Sequence, residues 1–127
     1  MKYFLIDDDD IISIIHPQII KKADSDAEIK VFKNSEEAFD LLKKIQISNL
    51  RIPDFIFLDI NMPFLTGFEF LDQFSEDQKI YFSLTKFIIL SSSIDSKDLE
   101  KSKKYPMVYD FIHKPLTKEY IKSLIEA

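Results

Sequence analysis

Five short apolar runs alternate with helical patterns along the chain, and this alternation constrains the fold more than any other feature. The apolar runs predict five strands, near residues 2–7, 28–33, 54–59, 86–91 and 108–113. The patterns between them predict five helices, near residues 10–23, 35–46, 66–75, 96–104 and 117–126. Strands that are separated by helices run parallel with right-handed crossovers. The sequence therefore predicts an α/β fold whose parallel sheet is covered by helices on both faces.

Single residues support several of the predicted helix boundaries. Asn34, Ser96 and Thr117 can cap the start of the second, fourth and fifth helices. Pro17 falls inside the first helical pattern, where it should kink the helix or shift its start. The connections 47–53 and 76–86 are predicted to be surface loops.

The composition narrows the class of protein. A chain of 127 residues with 46% hydrophobic and 31% charged residues is typical of one globular domain. The absence of cysteine excludes a disulfide framework and a cysteine nucleophile. It is also consistent with a reducing compartment such as the cytoplasm. No apolar run approaches the ~20 residues of a membrane span. The net charge of −5 argues against nucleic-acid binding, so we expect a cytoplasmic protein without nucleic-acid or membrane partners.

Acidic side chains follow two of the apolar runs. Asp59 closes the run Phe55–Leu58, and Asp7 and Asp8 follow the first run. Open α/β sheets bind ligands at the carboxyl ends of their strands, so these three carboxylates meet if the first and third strands are neighbours. Such a cluster needs a cation, and Mg²⁺ is the ion that its oxygen ligands favour. The next acid, Asp9, is more simply explained as a helix cap.

Two further polar residues follow the fourth and fifth runs. Lys114 precedes Pro115, which can direct its ammonium group across the edge of the sheet toward the carboxylates. Ser91 begins a serine run and offers a hydroxyl group at the same edge. Taken alone, a lysine is more often solvated and a serine run after a strand is usually a turn.

Taken in order, these residues match a known family. Asp7 and Asp8 follow the first strand, Asp59 the third, Ser91 the fourth and Lys114 the fifth. This arrangement resembles the receiver domain of two-component response regulators. The resemblance covers essentially the whole chain, in order and with family-like spacing.

Two segments carry the resemblance most specifically. Leu58–Pro63 with Gly67 is close to the phosphoacceptor signature of the family, and Phe111–Leu116 is close to its closing signature. The resemblance implies a flavodoxin-like, doubly wound sheet of strand order 2-1-3-4-5 with five helices. It also implies a single receiver domain over residues 1–127 without an output domain. One departure is Tyr105–Val108, where receivers usually carry a glycine before the fifth strand.

The resemblance assigns a phosphorylation site and a metal site. Asp59 would take a phosphoryl group from a phosphohistidine on a histidine kinase or a histidine phosphotransfer protein. Asp8 would bind Mg²⁺ directly, Asp7 mainly through water, and Asn61 through its backbone carbonyl. Asp59 would complete the set of metal ligands.

The resemblance also implies a switch. Lys114 would pair with the phosphoryl oxygens, Ser91 would donate its hydroxyl group, and Phe111 would change rotamer to alter the binding of a downstream target protein. The chain would then be a phosphoacceptor signalling domain rather than an enzyme, with only self-phosphorylation and slow autodephosphorylation. No histidine base is required, so His16 and His113 are expected to take no part in the chemistry.

Two alternatives compete with this interpretation. Phosphatases of the haloacid dehalogenase type also use an aspartate after a strand, but Asn61 stands where they need a second carboxylate. A pseudo-receiver would keep the fold as an interaction module without phosphorylation. A pseudo-receiver would be expected to have lost at least one of the site residues. The chain keeps all of them, namely Asp7, Asp8, Asp59, Ser91 and Lys114, which argues against this alternative.

The first predicted helix is unusually apolar. Ile12, Ile15 and Ile19 form one face, which is extended by Ile11 and Ile14, whereas Ile20 falls outside it. We hypothesise that Ile11 or Ile14 is exposed and docks the phosphodonor, because this helix borders the acidic edge.

Overall fold

The computed structural model describes residues 1–62, 65–93 and 95–127, and within them the chain forms a central parallel sheet flanked by helices. The strands are β1 (Lys2–Ile6), β2 (Glu28–Phe32), β3 (Phe55–Asp59), β4 (Lys86–Ser91) and β5 (Val108–His113). The helices are α1 (Asp10–Ala23), α2 (Ser35–Ser48), α3 (Gly67–Asp72), α4 (Glu76–Tyr81), α5 (Ser96–Ser102) and α6 (Lys118–Glu126). The strand order is β2-β1-β3-β4-β5, and every pairing is parallel, which confirms the predicted sheet.

The described residues contain six helices, so the prediction of five was wrong. The predicted helix 66–75 is the short α3, and the predicted loop 76–86 contains α4. Ser75 starts α4 because its side chain accepts a hydrogen bond from the Gln78 N–H, while the Gln78 side chain accepts one from the Ser75 N–H. This reciprocal capping satisfies two backbone donors and stabilises a helix of only six residues.

Strand register brings the predicted site together. β1 lies between β2 and β3, with Ile6 opposite both Phe32 and Leu58. β4 pairs with β3 so that Asp59 lies opposite Leu90. Because the strands are parallel, the residues that follow them emerge at one edge of the sheet.

Alternate side chains of the strands pack into two apolar clusters, one on each face of the sheet. The first apolar cluster joins Phe4, Ile56 and Phe87 to side chains of α2 and α3. The second apolar cluster joins strand residues such as Phe57 to α1 and α6. The central strands are therefore buried on both faces, as their continuous apolar sequences predicted.

The orientation of α1 differs in part from the predicted one. Ile20 is fully buried, whereas Ile15 is 39% exposed. The buried stripe includes His16, which a hydrophobicity pattern counts as polar, so the pattern misplaced the centre of the stripe. Pro17 lies inside α1 and does not shift its start, which remains at Asp10.

A bulge interrupts β5. Val108 pairs with Phe87 and Asp110 pairs with Ile88, so Tyr109 is an extra residue opposite β4. Beyond the bulge, Phe111 packs against the first cluster and Ile112 against the second. The bulge therefore helps to set which face of the sheet Phe111 contacts.

Candidate functional site

Asp59 ends the buried strand β3 at the edge where the site forms. Its side chain is held by the Asn61 N–H, which donates to Oδ1 at 3.1 Å. Gly67 allows α3 to approach this strand end, since a Cβ atom there would lie 2.9 Å from the Asp59 carbonyl oxygen and 3.0 Å from the Ile60 Cα. The single glycine of the chain thus stands where the backbone of the site leaves no room for a side chain.

Three carboxylates converge at this edge. Asp7, Asp8 and Asp59 each offer one oxygen atom, and these three atoms lie within 4.8 Å of one another. Asp7 and Asp59 are each only 4% exposed, whereas Asp8 is exposed to solvent. Asp7 is oriented by the Asp9 N–H, which donates to Oδ1 at 2.9 Å. The convergence that the sequence predicted is therefore present in the structure.

Lys114 reaches into the same group from the end of β5. Its Nζ lies 2.7 Å from Asp7 Oδ2 and 3.4 Å from Asp59 Oδ1. Its backbone N–H donates to the Ser91 carbonyl at 2.8 Å, which ties the end of β5 to the end of β4. The peptide bond between Lys114 and Pro115 is cis. We call Asp7, Asp59 and Lys114 the charged centre.

The pKa values of Asp59 and Lys114 are shifted in this centre. Burial, followed by the negative charge of Asp7, raises the pKa of Asp59, although the Asn61 N–H and Lys114 act in the opposite direction. Burial lowers the pKa of Lys114, but its contacts with Asp7 and Asp59 outweigh burial and leave that pKa raised. Lys114 is therefore charged at neutral pH, and one ammonium group faces two buried carboxylates.

The donor set fits a hard divalent cation. Asp7 Oδ2 is buried, and among the described residues it is paired with the Lys114 ammonium at 2.7 Å. Carboxylate oxygens are the ligands that Mg²⁺ prefers, and an exposed ligand such as Asp8 leaves room for the waters that Mg²⁺ retains. A cation would also offset the excess negative charge of the three carboxylates.

Ser91 and Phe111, which we call the response region, lie beside the charged centre. Ser91 is fully buried; its hydroxyl group donates to the Ser93 carbonyl, and the Ser93 N–H donates back to Ser91 Oγ at 3.3 Å. Phe111 is half-buried, and its N–H donates to Asp110 Oδ1 at 2.8 Å. None of these three hydrogen bonds joins the charged centre directly.

Asn61 is exposed beside Asp59, while Pro63 of the predicted signature lies outside the described residues. His113 is exposed at the end of β5 and contacts the Lys114 carbonyl oxygen through its ring. Sequence analysis missed the buried contact between His16 and the backbone of Leu116. No motif signals that contact, because the two residues are 100 positions apart.

The family model for the response regulator receiver domain matches residues 3–126. The chain belongs to the response regulator receiver domain family. This family is a signalling domain, and its members generally bind Mg²⁺ in an acidic pocket, which corresponds here to the cluster of Asp7, Asp8 and Asp59.

Solved structures agree with this assignment. A two-component response regulator from Cytophaga hutchinsonii has 30% sequence identity to this receiver and a TM-score of 0.88. The alignment covers 98% of this receiver and 93% of that chain. A two-component response regulator from Legionella pneumophila has 24% sequence identity and a TM-score of 0.82, and the alignment covers 99% of this receiver and 95% of that chain. The chemotaxis protein CheY4 from Vibrio cholerae is 22% identical with a TM-score of 0.68, covering 98% and 95%. The last two likenesses show the fold alone.

A comparison with curated proteins gives no significant match. Among the residues that the structure describes in this receiver, no helix has the length and apolar character needed to cross a membrane.

Proposed function

We propose that this receiver is a phosphoacceptor, with Asp59 as the residue that is phosphorylated. The observation that carries the proposal is the charged centre, in which a buried Asp59 lies beside Asp7 and within 3.4 Å of the Lys114 ammonium. Phosphoryl transfer depends on positioning and on stabilisation of negative charge, and this arrangement supplies both.

The proposed reaction begins with attack by a carboxylate oxygen of Asp59. The hydrogen bond from Asn61 and the ion pair with Lys114 both use Oδ1, so Oδ2 is the oxygen we assign to the attack. The new bond joins this oxygen to the phosphorus of a phosphohistidine on a histidine kinase or phosphotransfer protein. The P–N bond breaks, and its electron pair leaves with the donor imidazole, which takes a proton from solvent.

Two positive groups would balance the charge of the transferred group. Lys114 would contact a phosphoryl oxygen, and the position of its ammonium near both Asp7 and Asp59 supports this role. A Mg²⁺ ion held by Asp7, Asp8, Asp59 and the Asn61 carbonyl would supply further charge neutralisation and orientation. Asp9 supports this role indirectly, since its N–H fixes one oxygen of Asp7.

The switch that we propose starts at Ser91. Its hydroxyl group would leave the Ser93 carbonyl and donate to the phosphoryl group, which carries roughly −1.5 to −2 charges. Phe111, at the margin of the first apolar cluster, would then change rotamer. This change would shift the population of two arrangements of α5, β5 and α6, and so the binding of a downstream target protein. A cytoplasmic location stays a prediction from the sequence.

Intact mass spectrometry tests the phosphoacceptor role. After incubation with acetyl phosphate and Mg²⁺, we expect a mass gain of one phosphoryl group that is absent in Asp59→Asn. Asp54→Asn is the matched control, since Asp54 lies at the opposite end of β3 and its substitution should leave the gain intact. A purified histidine phosphotransfer protein serves as a second donor. If neither donor adds a phosphoryl group to the folded wild type, the alternative of a pseudo-receiver interaction module replaces the proposal.

A further inference from the structure

His16 is a buried histidine on α1 that the proposed chemistry leaves without a role. It is only 2% exposed, and its Nε2 accepts a hydrogen bond from the Leu116 N–H at 3.1 Å. Burial lowers the pKa of His16 to about 4, although the negative charge of Asp7 acts in the opposite direction. The ring is therefore neutral at neutral pH, as a hydrogen-bond acceptor must be.

The hydrogen bond from Leu116 completes the attachment of the segment that carries Lys114. On one side, the Lys114 N–H donates to the Ser91 carbonyl at the end of β4. On the other side, the Leu116 N–H donates to His16 on α1. Pro115, between them, has no N–H to donate. The backbone donors on both sides of the proline are thus held by different elements of the fold.

Helix α1 also follows directly after the carboxylates of the site. Asp7 lies at the end of β1, and α1 begins three residues later at Asp10. The Ser13 hydroxyl group, within the same helix, donates to the Asp7 carbonyl at 3.3 Å. One helix therefore contacts both the backbone of Asp7 and the segment from which Lys114 reaches Asp7 Oδ2.

We propose that His16 is a positioning residue for phosphoryl transfer, holding the Lys114–Leu116 segment so that the Lys114 ammonium meets Asp7 and Asp59. This inference rests on the proposed function, since the transfer is the reaction that the ammonium would assist. Lysine has a long flexible side chain, so its placement depends on where its backbone is fixed. A misplacement of about 1 Å in a reacting site is sufficient to slow a reaction by up to ~100-fold.

A purely structural role is the competing explanation. The Leu116 side chain is only 1% exposed and packs in the second apolar cluster, so on this explanation burial alone fixes the segment. Two substitutions separate the explanations. In His16→Gln, the side-chain oxygen replaces Nε2 as an acceptor, whereas His16→Leu is apolar and leaves the Leu116 N–H without its partner.

The test compares these variants with a control substitution in the same helix and the same apolar cluster. Ile20→Ala serves as this control, because Ile20 is fully buried on the same helix and packs in the same cluster as Leu116. The first readout is the NMR signal of the Lys114 side-chain ammonium, whose chemical shift and slow exchange with solvent report its burial between carboxylates. The second is the maximal rate of phosphorylation by acetyl phosphate with Mg²⁺, separated from the concentration at half-maximal rate.

We expect His16→Leu to broaden or shift the Lys114 signal and to lower the maximal rate about 10-fold. His16→Gln should restore both readouts, and Ile20→Ala should change neither. Equal rates in His16→Leu and Ile20→Ala, or no recovery in His16→Gln, would overturn the inference. If His16→Leu does not fold, His16→Asn replaces it, because its shorter side chain does not reach the Leu116 N–H.

The two readouts also separate this inference from the phosphoacceptor proposal. If the wild type is not phosphorylated, the proposed function fails, and the Lys114 signal alone decides whether His16 positions that side chain. If the wild type is phosphorylated and His16→Leu leaves the Lys114 signal unchanged, only the positioning role is lost.

Discussion

The charged centre and the response region lie on neighbouring strands but differ in how far their side chains are already arranged for the phosphorylation that we propose. In the charged centre, Lys114 already contacts both Asp7 and Asp59, and backbone N–H groups orient the two carboxylates. In the response region, the hydroxyl group of Ser91 is engaged with the carbonyl of its own loop, at Ser93.

This difference would allow one edge of the sheet to combine the proposed phosphoryl transfer with the proposed switch. Groups that stabilise charge work best when they are placed before the reaction, because no reorganisation is then needed. A switch requires the opposite, namely a group that exchanges one partner for another. On this view, substitutions in the charged centre should change the rate of phosphorylation, and substitutions in the response region should change the conformational response to phosphorylation.

The largest effect is expected for Lys114→Met, which keeps the length of the side chain but removes the charge. Loss of a group that stabilises the transition state typically slows a reaction about 100-fold or more, and we expect this loss in phosphorylation by acetyl phosphate. Lys118→Met, at an exposed position at the start of α6, is the control and should react normally. A rate for Lys114→Met within a few-fold of wild type would show that the centre is not arranged for catalysis.

Asp8→Asn should weaken Mg²⁺ binding by at least about 10-fold, since a neutral amide replaces one of three converging carboxylates. Isothermal titration calorimetry with Mg²⁺ measures this change without any phosphodonor. Asp77→Asn changes the same charge on the exposed start of α4 and should leave the affinity unaltered. Equal Mg²⁺ affinity in both variants would place the cation elsewhere.

A smaller effect is expected at the exposed face of α1. Ile11 and Ile14 are 68% and 63% exposed, which agrees with the exposure that the docking hypothesis requires. Ile14→Asp should slow transfer from a phosphotransfer protein about 3- to 10-fold but leave the reaction with acetyl phosphate unchanged, because the charged centre is intact. Ile47→Asp, at an 84% exposed position on α2, controls for added surface charge. Unchanged transfer in Ile14→Asp would remove the docking hypothesis.

Ser91→Ala tests the response region directly. We expect a loss of only about 5-fold in the rate of phosphorylation, the scale of one typical net hydrogen-bond contribution, because the Ser91 hydroxyl group would reach the phosphoryl group only after its transfer. NMR signals of Phe111 should, however, no longer shift when Asp59 is phosphorylated. Ser93→Ala is the matched control, because it keeps the carbonyl group that Ser91 contacts. A loss as large as that expected for Lys114→Met would break the distinction between the two regions.

Much of this site could be predicted because a charged residue next to an apolar strand is accommodated mainly at the end of the strand, where solvent begins. Asp59 ends the buried strand β3 and Lys114 follows the partly exposed edge strand β5, and the parallel order of the strands brings both residues to one edge of the sheet. The bulge at Tyr109 could not be predicted in this way, since it depends on the partner strand. The orientation of α1 was misjudged for a related reason, because the burial of His16 depends on Leu116, far along the chain.

The smallest effect is a change in stability, and its sign distinguishes the charged centre from an ordinary ion pair. Because burial and Asp7 raise the pKa of Asp59, the ionised carboxylate is less favourable in the folded than in the unfolded state. Its destabilising effect is full above the folded pKa and disappears as the pH falls below the ordinary value for aspartate. Asp59→Asn should therefore raise the unfolding temperature at pH 7 without Mg²⁺, and this gain should fade on acidification.

Asp24 supplies the opposite case. Although burial acts to raise it, the pKa of Asp24 is lowered by the amino group of Met1 and by the Tyr3 hydroxyl group, which contact its Oδ2 at 2.9 and 3.0 Å. Its ionised form stabilises the fold above its unfolded pKa, so Asp24→Asn should lower the unfolding temperature at pH 7. Thermal unfolding of both variants across pH 3 to 8 measures these signs. If Asp59→Asn also proved destabilising at pH 7, the carboxylates of the charged centre would be balanced by Lys114 alone, and the electrostatic reason for a bound cation would be lost.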